Sequence, residues 1–381
     1  SRIEPWSPRP IESRIGDDPI GAPSEWYQRI RVFGEAATRF RYDVTEAGRR
    51  NRIPAYGVSR PRFEGRLLLG VRGPLVDGPD ELDFAAVVGT TNGANSTFVP
   101  FDDTFNASPI GVREAWLRLR VFENQFSVTA GRFPFPEAYA YRSIATFGPS
   151  VSLTGLHLRS NIFESVSRGE VRNALYLNAF GLQLEEVEAG ANVWGAAGVL
   201  TWLVEKMRIG VGFWAVSGAR TTYANLAAAN ARLETFDFSL LGDLDDVQIS
   251  AQILWNVGST EDNFGTVLGL RVGNQAQIGD VQVDAAWFFL EPAVWIDRLT
   301  DEAGGRAFAV SEAAATATTS AFQGSLIGTS GARLGTTIIV LDGVYLRFQA
   351  TLSWLVNNVP QLAGDDNDVY GSLVADFGVR F

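Results

Sequence analysis

From about residue 25 to the end of the chain, apolar residues recur at every second position in short runs separated by turn residues. That is the period of a β-strand with two different faces. The first run is the clearest. In Arg29 to Val44 one face reads Ile30, Val32, Gly34, Ala36, Thr38, Phe40, Tyr42 and Val44, while the other carries Arg29, Arg31, Glu35, Arg39, Arg41 and Asp43. Arg60 to Gly73 sets Phe63, Leu67, Leu69 and Val71 against Arg60, Arg62, Glu64, Arg66 and Arg72. Glu81 to Thr91 and Glu114 to Phe122 repeat the theme, with Glu81 and Asp83, then Glu114, Arg118 and Arg120, on the polar side. Late in the chain Leu346, Phe348, Leu352 and Trp354 oppose Arg347, Gln349, Thr351 and Ser353. A soluble antiparallel sheet shows such alternation where one face meets water. Its return in nearly every strand is what lipid outside and a watery lumen inside impose, at ~9–11 residues per strand. No 3.6-residue period is sustained long enough for a major helix, and no run reaches the ~18–20 apolar residues of a membrane helix.

The connections tend to alternate in length. Short ones fall at 122–125, 205–206, 242–246 and 342–343, the last an Asp-Gly pair suited to a tight hairpin. Long ones fall at 45–59, 92–111, 134–150, 218–234 and 291–333, while 163–171 and 274–280 are of middling length. Short turns on one side and long loops on the other are the habit of a membrane barrel. The expected strands are 26–44, 60–73, 81–91, 112–122, 126–133, 151–162, 172–182, 191–204, 207–217, 235–241, 247–256, 264–273, 281–290, 334–341, 344–355 and 369–381. The fold class is therefore all-β: a closed antiparallel transmembrane barrel of 16 strands, or 18 if residues 291–333 hide another pair. Short turns would be periplasmic and long loops extracellular. Residues 1–25, rich in proline and charge, read as an extended arm ahead of a barrel over 26–381.

The chain of 381 residues has no cysteine and one histidine, His157, which excludes disulfide scaffolds, thiolate chemistry and multi-histidine metal sites. A net charge of −11 argues against a nucleic-acid partner. The opening Ser1-Arg2-Ile3-Glu4-Pro5 reads as a mature or trimmed start.

The last strand, Val369 to Phe381, alternates cleanly and ends on an aromatic residue. It resembles the C-terminal strand of bacterial outer-membrane barrels. Arg113-Glu-Ala-Trp-Leu-Arg-Leu-Arg120, followed by Phe126-Ser-Val-Thr-Ala-Gly-Arg132-Phe, is similar to the region of Gram-negative porins that leads into the pore loop. The resemblance implies a passive diffusion channel for small hydrophilic solutes and ions, without a cofactor, in the bacterial outer membrane. It also implies contact with membrane lipids and lipopolysaccharide, a homotrimer, and Phe381 as a signal to the barrel-assembly machinery. By position in the count, residues 134–148 fall where porins place an inward constriction loop, here with Glu137, Tyr139 and Arg142.

Charges on a lipid face cost roughly 2–4 kcal/mol each near the midplane, so the charged faces must line the lumen. The first four strands would place ten arginines there (29, 31, 39, 41, 60, 62, 66, 72, 118 and 120) against six acids (35, 43, 64, 81, 83 and 114). Such a wall either merely keeps the lumen wet or sets its ion selectivity, with a mild anion preference. His157 near Ser152, Ser160 and Asn161 invites comparison with barrel lipid hydrolases, but Arg159, not serine, shares its face two residues on. Asp365, Asp366 and Asp368 have the oxygen donors of a weak Ca²⁺ site or form a solvated acidic loop. A barrel plugged by residues 1–25 or 291–333, with a structural or adhesive role, is the alternative to an open channel.

Overall fold

The computed structural model describes residues 29–45, 60–76, 80–90, 99–100, 110–122, 125–134, 152–167, 170–186, 192–218, 231–244, 246–295, 328–356 and 369–381. Its strands are β1 (Arg31–Thr45), β2 (Arg60–Val76), β3 (Glu81–Thr90), β4 (Val99–Pro100), β5 (Ile110–Val121), β6 (Phe126–Pro134), β7 (Ser152–Ser167), β8 (Glu170–Glu186) and β9 (Asn192–Val204). There follow β10 (Met207–Ser217), β11 (Leu233–Leu244), β12 (Val247–Asn256), β13 (Phe264–Gly273), β14 (Val281–Leu290), β15 (Thr329–Leu341), β16 (Val344–Leu355) and β17 (Val369–Arg380). β4 is a two-residue ribbon beside Glu64 and Gly65 of β2. The other strands form the wall. Each is antiparallel to both neighbours, and β17 pairs with β1 from Glu35↔Arg380 to Thr45↔Tyr370. The ring of sixteen therefore has no open edge, and its backbone groups are satisfied within the wall, as hydrocarbon demands. Among the described residues no helix is long and apolar enough to cross a membrane.

The strands rise and fall in turn, which sorts the connections onto two rims. Those after β2, β5, β7, β9, β11, β13 and β15 share a turn rim with Phe381; those after β1, β3, β6, β8, β10, β12, β14 and β16 share a loop rim. At Asp342-Gly343 only the glycine is left-handed (φ 73°), and the ladder skips a residue between Ile339 and Leu341. A glycine-led bulge of this kind closes the hairpin and adds twist.

Exposure alternates along the wall. On β12, Gln248, Ser250, Gln252, Leu254 and Asn256 are buried inward, while Ile249, Ile253 and Trp255 stand out. Leu268, Trp287, Leu334, Phe348, Leu373 and Phe377 continue the outward apolar belt.

The spans differ most from the sequence reading in three places, while β2 and β11 run a few residues longer than expected and the short β4 was not expected. β1 begins at Arg31, so Arg29 stands just outside it, not on its lumen face. β7 and β8 run through most of 163–171, because bulges at Asn161/Phe163 and Ser165/Val166 let a non-alternating stretch pair. β15 begins at Thr329 rather than residue 334; Thr329-Ser-Gly331 is small and polar and carries no period. The closed ring of sixteen rules out the eighteen-strand wall.

Candidate functional site

The inward face is the candidate site, and its most highly charged side lies at the seam where the last strand meets the first. Arg39 on β1 grips Asp376 on β17 through Nε at 2.7 Å and a second nitrogen at 3.0 Å, with Glu64 on β2 at 4.0 Å. Two residues along β1, Arg41 is also buried. Nearer the turn rim, Glu35 accepts from Arg66 and from the Tyr345 hydroxyl (2.6 Å), and Arg380 approaches it at 3.8 Å. Arg66 also donates to Tyr345 (3.0 Å), whose ring lies under the Arg380 guanidinium at 4.5 Å. That ring covers Gly378, where a Cβ would sit 2.3 Å from it. Glycine is required there because an inward aromatic must lie flat across the wall.

A second charged group sits on β3 and β5. Arg120 spans Glu81 and Asp83, each at 2.5 Å, and Arg118 lies over Trp116 at 4.8 Å while donating to Thr129. Farther round, Arg271 on β13 pairs with Asp284 on β14 at 2.9 Å. The wall is thus not a bare ladder of arginines. Its carboxylates hold several of them, and the guanidiniums are fixed in place by bidentate or aromatic partners.

The opposite side differs in kind. From β6 to β14, near the loop rim, the inward face is largely apolar: Phe133, Leu153, Phe180, Leu182, Trp214, Leu233, Leu254, Phe288 and Leu290 form one buried cluster. An aromatic file crosses it. His157 stacks on Phe180 (4.6 Å), Phe180 lies 5.9 Å from Trp214, and Trp214 meets Trp295 edge-on at 5.5 Å. Trp295 belongs to no strand. The segment after β14, Glu291–Trp295, turns into the barrel and completes the cluster with Ala293 and Val294.

Apart from Arg29, which stands outside β1, the residues expected to line a pore fall into three groups. Arg31, Arg39, Arg41, Arg66, Arg72, Arg118 and Arg120 lie on the inward register of their strands. Arg60 and Arg62 share the register of Glu64 on β2. Glu137, Tyr139 and Arg142, the expected loop 134–148 beyond Pro134, the arm 1–25 and the acidic Asp365, Asp366 and Asp368 lie outside the described residues. Among the described residues no group of carboxylates or histidines could hold a metal ion. His157 faces the lumen, where its Nε2–H donates to Asn178 Oδ1 at 3.1 Å; Ser160, an odd number of residues away, takes the opposite face. Phe381 points outward, 64% exposed, with its ring over Gly34 and two backbone hydrogen bonds to that residue (2.8 and 3.1 Å). Sequence reasoning missed the apolar cluster, and it turned residues 291–333 into the lumen only in the plugged-barrel alternative, without the seat on which 291–295 rests. The only signal of that seat is that Leu254-Trp255 and Phe288-Phe289-Leu290 are apolar on both faces.

No protein-family model matches the chain, and no curated protein does. Solved structures do. OmpF of Salmonella typhi, in a complex with daunomycin, superposes with a TM-score of 0.58 at 12% identity, over 92% of this chain and 97% of that one. A variant of the Rh. blastica porin covers 92% of this chain and 99% of its own, at 13% identity and a TM-score of 0.47. With the closed ring and the split between its faces, the likeness to OmpF establishes the fold: this chain is a porin-type β-barrel of sixteen strands.

Proposed function

We propose that the protein is an outer-membrane porin, a passive diffusion channel for small hydrophilic solutes and ions with a mild anion preference. The observation that carries this is the split of the closed wall into an apolar outside and a charged, hydrogen-bonded inside. An outer apolar belt suits a bilayer, and a charged, hydrogen-bonded interior suits the water-filled lumen of a channel. The engagement of His157 with Asn178 and Phe180 favours a channel over a lipid hydrolase. Membrane lipids and lipopolysaccharide surround the barrel in this reading, and three copies assemble as in many porins.

The selectivity follows from the charged side. The described inward positions of β1, β2, β3 and β5 hold more arginines than carboxylates, and Asp376 and Arg380 of β17 cancel. A low-dielectric wall focuses that excess into the lumen, whereas charges in bulk water are screened beyond ~8 Å at physiological salt. The test is a reversal potential across a salt gradient in a planar bilayer. The wild type should favour anions at low salt and lose the preference as salt rises. Arg118→Ala with Arg120→Ala leaves Glu81 and Asp83 without the Arg120 cation and should shift the preference to cations. A cation-selective wild type would refute the assignment.

A further inference from the structure

The segment after β14 enters the lumen and is fastened there by side chains of the wall itself. Asn256, at the loop-rim end of β12, is fully buried (0% exposed). Its amide nitrogen donates to Ala293 O (2.6 Å) and Arg232 O (2.8 Å), and its oxygen accepts from the backbone of Glu234 (2.9 Å) and Gly258 (3.0 Å). All four hydrogen-bonding positions of the amide are thereby used. Thr235 Oγ donates to Val294 O at 3.2 Å, and Ala293 N donates to Asp262 O at 2.8 Å. Val294 and Trp295 are buried in the apolar cluster, and Gly265 makes room for Leu290 and Val294: a Cβ there would lie 2.9 Å from a Leu290 methyl carbon and 3.2 Å from a Val294 one. Two wall side chains aimed at backbone carbonyls of one loop, over an apolar seat, form a built dock. A loop merely passing over the rim needs none of it.

We propose that Glu291–Trp295 is a constriction of this barrel, seated on the β10–β14 side and displacing the passage toward the charged seam of β17, β1 and β2. The proposal rests on the channel reading above and deepens it. In the ring of sixteen, β10 lies diametrically across from β1. Mass added on the β10 side therefore narrows the bore eccentrically and brings any solute alongside Arg39, Arg41 and their carboxylate partners. Size exclusion and selectivity would then share one cause.

The chain has no cysteine, so an engineered pair is the only thiol chemistry present. Gly265→Cys with Val294→Cys brings two Cβ atoms close to the ~3.5–4.5 Å that a disulfide spans. In that background Asn256→Ala and Thr235→Ala remove the polar fastenings. Heat-shifted gel mobility establishes that the variant assembles, and Trp295→Ala serves as an independent way to loosen the segment. Single-channel conductance is then read in a planar bilayer before and after reduction. The oxidised quadruple variant should conduct as the wild type does. Reduction should raise conductance about 1.5-fold or more and bring the anion-to-cation permeability ratio closer to unity, reversibly. A silent wild type that conducts only when the segment is freed would support the proposal in its strongest form, a closed pore. Equal conductance in both redox states, together with a wild-type value for Trp295→Ala, would overturn it while leaving the channel reading intact. No conductance in any form would overturn both.

Discussion

Arginine placed at two heights on one outward strand tests the bilayer assignment most sharply. Leu334 stands outward on β15 between Ala285 and Ala350 of the neighbouring strands and is 56% exposed. β15 spans Thr329 to Leu341, so Leu334 lies near its middle and Val340 beside its turn-rim end. Six residues at ~3.4 Å each, on a strand tilted ~45°, separate the two by about 14 Å along the membrane normal. Half the hydrocarbon thickness is ~15 Å, which puts Val340 at the interface when Leu334 is near the midplane. Arginine on a barrel's lipid face costs roughly 2–4 kcal/mol at the midplane and ~0–1 kcal/mol at the interface. Leu334→Arg should therefore destabilise the barrel by about 2–3 kcal/mol more than Val340→Arg. Equilibrium unfolding by guanidinium from lipid vesicles, followed through the tryptophans, measures the difference. Costs equal to within about 0.5 kcal/mol would mean that the two positions sit at the same depth or in no bilayer at all.

Other outcomes follow from particular contacts. Asp376→Ala strands the buried Arg39 and should cost about 3 kcal/mol, the low end for a broken buried pair because Glu64 remains 4.0 Å away; Arg39→Met with Asp376→Leu should recover most of it, and the same unfolding titration reads both. Deleting Phe381 removes the ring over Gly34 and two seam hydrogen bonds, so less assembled barrel should accumulate in cells, as measured by heat-modifiable mobility; unchanged assembly would end its role as an insertion signal. Gly34→Val, whose Cβ would sit 2.5 Å from the Phe381 ring, should reproduce part of that loss without shortening the chain.

The wall was legible because its rule is local. Leu346, Phe348 and Leu352 against Arg347, Gln349 and Thr351 reveal a strand with two environments without reference to any other part of the chain. The interior was less legible because its partners are remote. The arginine of the pair Arg39–Asp376 was identifiable as inward, but the carboxylate that holds it arrives 337 residues later. The apolar seat under Glu291–Trp295 escaped for a different reason. Where Leu254 faces in and Trp255 faces out, alternation vanishes, and a strand apolar on both faces cannot be distinguished by period from a buried one. The anchor is a single Asn at a strand end, a residue type that ordinarily marks a turn.

The placement of charge at the seam answers a problem that hydrophobicity alone leaves open. Closing a barrel requires the last strand to find the first in one register. A slip of one residue turns every side chain to the wrong face and is excluded by the outer apolar belt. A slip of two preserves the faces and is not. Moved one way, such a slip sets Asp376 opposite Ala37 and leaves Arg39 facing Val374, which breaks the two-bond pair between them in a buried wall. Moved the other way, Asp376 meets Arg41, but Arg380 passes beyond Glu35 and the Phe381 ring lands on Ala36, whose Cβ occupies the space that Gly34 leaves open. Either error costs something the native register does not. The arginines and acids of β1, β2 and β17 thus pin closure whether or not any ion passes them. The Arg118–Arg120 group on β5 lies away from the seam, so changes in selectivity measured there separate permeation from register.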